Sequence, residues 1–189
     1  MNRWVIRKKL SLNIKVEPQI SKSSKTDHKA RIEGKVFVGE NVTIGFSKIL
    51  TDNINQITIG KETTIKDCVL VTTKEKAFEE FETKNKKIKD IYIGNKVFVS
   101  SEVSIYGPVI ISDGIFIGHK AVISNAKIGQ NCVIEDKATV KNVTLPSDTF
   151  IPSKCIIDSE EKLNNLLNIS NEGRFCEFNT ADKLILMAS

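Results

Sequence analysis

The chain has 189 residues, of which 40% are hydrophobic and 27% charged. That balance supports one folded domain with a sizeable core and argues against disorder. No apolar run approaches the roughly 20 residues of a membrane-spanning helix, and aromatics at 6% are sparse for a surface that stacks on bases.

The net charge of +5 is unevenly placed: residues 1–35 hold ten Lys/Arg against three Asp/Glu, and the rest of the chain is slightly acidic. Residues 1–30 therefore read as a basic N-terminal segment on a near-neutral body, and no nucleic-acid partner is expected. The first sixteen residues lack acids, as organellar targeting segments do. However, Trp4, Val5 and Ile6 form a short strand-like run rather than a long amphipathic helix. With no apolar run of the signal-peptide kind, a cytoplasmic protein is expected.

From residue 31 to 157 a six-residue clock organises the sequence. It strikes Ile32, Val38, Ile44 and Leu50, and then Ile59, Ile65 and Val71. It resumes at Ile93, Val99, Ile105, Ile111, Ile117 and Ile123. After one dropped residue it gives Ile128, Ile134 and Val140, and after another Leu145, Ile151 and Ile157. Two positions before each strike the residue is small or β-branched, for example Val36, Thr63, Val97, Ala121 and Cys132; Lys48 breaks the rule. One position after, glycine recurs at Gly39, Gly45, Gly60, Gly94, Gly118 and Gly129, as suits a corner with an unusual backbone angle or close packing.

A period of six matches neither an α-helix nor a two-sided strand. It fits a chain that turns a corner every six residues, so that three faces close one triangular coil and coils stack on each other. The predicted fold is an all-β solenoid. Residues 51–57 and the charged stretch 72–90 interrupt the clock; the second is expected to protrude as a partly helical loop. Residues 158–189 read as a C-terminal helical segment. Asp158 or Ser159 caps a helix through Leu163, Leu166 and Leu167, Gly173 ends it, and Thr180 opens a second short helix.

Four cysteines (Cys68, Cys132, Cys155, Cys176) and two histidines (His28, His119) show no zinc-ligand spacing. Free, buried thiols are expected, and no cofactor.

The six-step pattern resembles the hexapeptide-repeat proteins. Within them, IYIGNKV (91–97), YGP (106–108), FIG (116–118), KIGQNCVIE (127–135) and VTLPSDTFIPS (143–153) with the following helix resemble the γ-class carbonic anhydrases. They resemble both the archaeal enzyme type and the N-terminal domain of the carboxysome protein CcmM. The resemblance implies a left-handed parallel β-helix, against the usual right-handed crossover rule, with a C-terminal α-helix. It also implies a homotrimer whose catalytic site lies between subunits, where three histidines hold a metal that activates water.

On the resemblance, the three ligand positions fall on Thr72, Ser101 and Tyr106, and none is a histidine. The family's catalytic arginine, near Leu50 or Thr51, is missing, while its neighbouring acid matches Asp52. The family's Gln-Asp pair reads Lys66-Asp67. The expected protein is thus a γ-carbonic-anhydrase-like homotrimer without zinc, a non-catalytic scaffold or partner-binding subunit. Two alternatives stand beside it: a hexapeptide-repeat acyltransferase with His119 as base, and a binder of bicarbonate or another small anion in a degenerate interface cleft formed by Asp52, Lys66 and Asp67.

Overall fold

The computed structural model describes residues 16–52, 54–73 and 90–171. The expectations for the first fifteen residues, for the body of the charged loop and for the helix led by Thr180 fall outside these.

The clock becomes three columns of inward side chains, each built by parallel pairing of short strands. The first face stacks Ile20, Val38, Ile59, Ile93, Ile111, Ile128 and Leu145. The second stacks Thr26, Ile44, Ile65, Val99, Ile117, Ile134 and Ile151. The third stacks Ile32, Ile49, Val71, Ile105, Ile123, Val140 and Ile157. Seven coils result, wound as a left-handed parallel β-helix. Most strands are two or three residues long because a corner follows each inward residue.

The ladder starts two strikes earlier than the clock read from the sequence, whose first strike, Ile32, closes the first coil. Strands Gln19–Ile20 and Lys25–Thr26 already pair with the second coil, so part of the basic segment 1–30 belongs to the solenoid. Thr26, a threonine in a column of aliphatics, hid the first two faces of this coil.

The second coil also corrects the clock. Ile49, not Leu50, is the inward residue: it is fully buried and pairs with Val71, whereas Leu50 pairs with Thr72. This coil drops a residue, and both candidates are aliphatic, so the sequence could not separate them. The shift also removes the exception at Lys48. The residue two before Ile49 is Ser47, only 1% exposed. Its Oγ donates to the Lys66 carbonyl at 2.6 Å and accepts the Val69 N–H at 3.3 Å. Thr63 makes the same pair of bonds, to the Gly94 carbonyl at 2.8 Å and from the Val97 N–H at 3.2 Å. A small hydroxyl thus replaces an aliphatic where it can bond the backbone of the next coil, and its burial is compensated.

Corners divide two tasks between two positions. The left-handed backbone angle falls three residues before the inward residue, at Glu62, Lys96, Lys120 and Lys137 among others, with φ of 56, 53, 59 and 61°. The glycines one position after the inward residue are there for close approach. A Cβ on Gly60 would stand 2.5 Å from the carbonyl carbon of Gly94 on the next coil, well inside contact distance.

After the last coil, helix α1 (Glu160–Asn171) begins. Ser159 is the cap, its Oγ accepting the Lys162 N–H at 3.4 Å. Asp158 pairs instead with Lys162 at 2.8 Å, and the hydrogen bond from that ammonium holds its carboxyl below the usual range. Leu163 and Leu166 are buried. The helix is described as far as Asn171, and the expected stop at Gly173 lies outside the described residues.

Candidate functional site

The third face carries candidate residues at both of its corners. At its far end, one position after the inward residue, the column reads Glu33, Leu50, Thr72, Tyr106, Ser124 and Lys141. Thr72 and Tyr106 are therefore cross-strand neighbours. Thr72 is 5% exposed and Tyr106 is half-buried.

Around Thr72 the insertion supplies a buried hydroxyl cluster. Thr51 Oγ1 donates to the Asn55 carbonyl at 2.8 Å, which commits its one proton, so the Thr73 hydroxyl donates to Thr51 at 2.8 Å. Asp52 is absorbed locally. Its Oδ1 accepts the N–H groups of Ile54 and Asn55 at 2.9 and 2.7 Å, and its carboxylate accepts the Asn55 side-chain amide. That is an Asx-type turn, a common use of aspartate in a tight loop.

The near corner of the third face carries Asp67, Ser101, His119 and Asp136 on consecutive coils. The backbone carbonyls of these four accept the N–H groups of Glu102, Lys120, Lys137 and Lys154. Asp67 Oδ1 accepts the Phe46 N–H at 2.8 Å, just as Asp136 Oδ1 accepts the His119 N–H at 2.7 Å. Asp67 is thus one of two acids, with Asp136, that fasten this corner. Lys66 is exposed and lies over the Phe98 ring, 5.5 Å from its centroid, a cation–π contact. Phe98 in turn stacks on Phe116, with centroids 5.6 Å apart.

The six candidate residues therefore form two groups. Asp52, Thr72 and Tyr106 lie at the far corner; Lys66, Asp67 and Ser101 lie at the near one. Ser101 and Tyr106 are five residues apart across one face, with a left-handed corner at Glu102 between them, on the order of 12 Å. One chain does not bring the groups together; a site drawing on both requires a second copy.

The sequence did not point to Ser124 or Thr73, and it named Thr51 only as a position near the missing arginine. Ser124 extends the Thr72–Tyr106 column by one coil. Below it, a groove of about 380 Å³ opens against α1, lined by Pro108, Asn125, Lys127, Asn142 and Glu160 among others. Asn125 and Asn142 are bonded to each other at 2.9 Å, and each turns in one left-handed residue the corner that Gly107 and Pro108 turn in two. This explains the two dropped residues in the clock.

As a donor set, the far corner does not suit zinc. Neutral threonine and serine hydroxyls are poor ligands and tyrosine an uncommon one. Among the described residues, no three His, Cys, Asp or Glu side chains converge to hold a metal ion.

No protein-family model matches the chain. Over 172 residues it is 27% identical to a carbonic anhydrase of Methanosarcina thermophila, covering 87% of this chain and 70% of that protein. Over 159 residues it is 28% identical to the carboxysome assembly protein CcmM of a Nostoc species, covering 84% of this chain and 28% of the much longer CcmM. Among solved structures, a hexapeptide transferase family protein from Anaplasma phagocytophilum aligns with a TM-score of 0.39 at 18% identity, over 82% of this chain and 87% of that one. No helix among the described residues is long and apolar enough to cross a membrane. By its repeat, its coil and these two relatives, the chain is similar to the γ-type carbonic anhydrases and to CcmM, on a parallel β-helix.

Proposed function

We propose that the chain assembles as a cytoplasmic homotrimer and serves as a non-catalytic scaffold or partner-binding subunit. One observation carries this reading. The three positions that the γ-class resemblance assigns to metal ligands hold Thr72, Ser101 and Tyr106, which offer hydroxyls where metal-activated hydration needs imidazoles. Their placement on opposite corners of one face supports a cleft between copies. So does the solenoid itself, since copies can pack face to face along their whole height. One relative bears the name of an assembly protein, CcmM, and supports a structural role for this coil.

The buried hydroxyls of Thr51 and Thr73 bond to each other rather than presenting a charge. Lys66, the one cation of the anion-cleft alternative, lies over an aromatic ring on the other corner. The test is CO2 hydration by the purified protein with zinc supplied. A rate equal to buffer supports the proposal. Turnover that titrates with protein overturns it.

A further inference from the structure

His119 and Glu102 meet at the near corner of the third face, one coil apart. The His119 Nδ1 stands 2.9 Å from the Ser101 carbonyl oxygen. A carbonyl only accepts, so Nδ1 carries a proton, and in the neutral form of the ring Nε2 is the nitrogen that offers a lone pair. That lone pair faces Glu102 Oε1 at 3.6 Å. In that form two electron-pair donors stand 3.6 Å apart. The other carboxylate oxygen, Oε2, is held by the Lys120 ammonium at 3.4 Å. Each group is oriented from behind, the imidazole by a backbone carbonyl and the carboxylate by a lysine. This is the outer support that metal ligands ordinarily have.

The spacing is also that of two ligands on one ion. Nitrogen and oxygen each about 2.1 Å from a tetrahedral zinc stand about 3.4 Å apart. Both side chains are open to solvent, at 36% and 47% exposed, so an ion can enter and keep water on its remaining positions.

We propose that His119 Nε2 and Glu102 Oε1 form a two-ligand site for a divalent transition metal, completed by water or by a group from a second copy. The site is separate from the Thr72–Tyr106 corner and does not depend on the scaffold reading. Zinc suits it because imidazole and carboxylate are both zinc ligands. Lys120 stays paired with Oε2 and keeps the bound carboxylate from turning away.

The test is calorimetric titration of the full, metal-stripped chain with zinc chloride. The comparison uses His119→Gln, Glu102→Gln, His28→Gln and Tyr106→Phe, each checked by circular dichroism. His28 is the natural control, because it too lies 3.6 Å from a carboxylate, that of Asp27, through Nδ1, but lacks the carbonyl behind its ring. The expected result is saturable binding that weakens at least about tenfold in both His119→Gln and Glu102→Gln and is unchanged in the other two. Binding unchanged by His119→Gln, or no saturation below roughly 1 mM, would overturn the proposal.

Discussion

Tyr106 is the cross-strand partner of Thr72 on the adjacent coil, and both residues follow directly on a fully buried inward aliphatic, Ile105 and Val71. Adjacent parallel strands hold the two backbones about 5 Å apart, and these are two of the positions that the γ-class resemblance assigns to ligands. Replacing them tests this. The triple variant Thr72→His, Ser101→His, Tyr106→His is expected to retain about one zinc per chain after dialysis, as a closed three-imidazole set should. Thr72→His with Tyr106→His alone is expected to lose it, because the third ligand comes from the other corner. Metal analysis of the dialysed proteins decides. Retention by the double variant would show that one corner suffices.

The register of the second coil makes a second test. Ile49 is completely buried between Ile32 and Val71, whereas Leu50 is only partly covered. Ile49→Ala should cost about 2–5 kcal/mol through the lost apolar contact and the cavity left behind. Leu50→Ala should cost about 1 kcal/mol. Denaturant midpoints at one fixed protein concentration measure both, since association would add to apparent stability. Equal costs would return Leu50 to the core.

Ser47 makes a third. Its hydroxyl is the only polar group of its side chain, and it bonds two backbone groups, Lys66 and Val69. Ser47→Ala is expected to destabilise by about 1–3 kcal/mol, since it leaves the Lys66 carbonyl short of a buried donor. The same unfolding experiment reads it. A neutral or stabilising result would mean that this bond contributes nothing net.

The corners predict opposite outcomes at two positions. Lys137 is exposed with φ of 61°, an angle that costs an ordinary residue about 1–2 kcal/mol. Lys137→Gly should therefore raise stability, by up to about 1 kcal/mol once glycine's larger unfolded-state entropy is charged against it. Gly60→Ala should lower it by about 1–3 kcal/mol, because the methyl meets the backbone of Gly94. Melting temperatures of the two variants on either side of the wild type are the expected pattern.

Much of this architecture could be read in advance because each face demands an aliphatic every sixth residue, and Ile93 to Ile123 supply one without a break. Reading failed where two residues were equally apolar, as at Ile49 and Leu50, and where a threonine entered a column, as at Thr26. It failed also at the left-handed corners, because Lys96 or Glu62 carries no mark of a positive φ. The role given to the corner glycines was half right: they admit the next coil and do not supply the unusual angle. For the site, Thr72 and Tyr106 could be placed side by side only through a resemblance, since hydroxyl residues have no spacing signature. The contact between His119 and Ser101 was there to be found in the numbering. The two are eighteen residues apart, three steps of six, and so one coil.

The most direct test of the central claim is zinc anomalous scattering from crystals of the wild-type assembly soaked in zinc. The expected map has no peak beside Thr72 and Tyr106, whatever occupies His119. A peak at that corner, bonded to protein atoms at about 2 Å, would contradict the account.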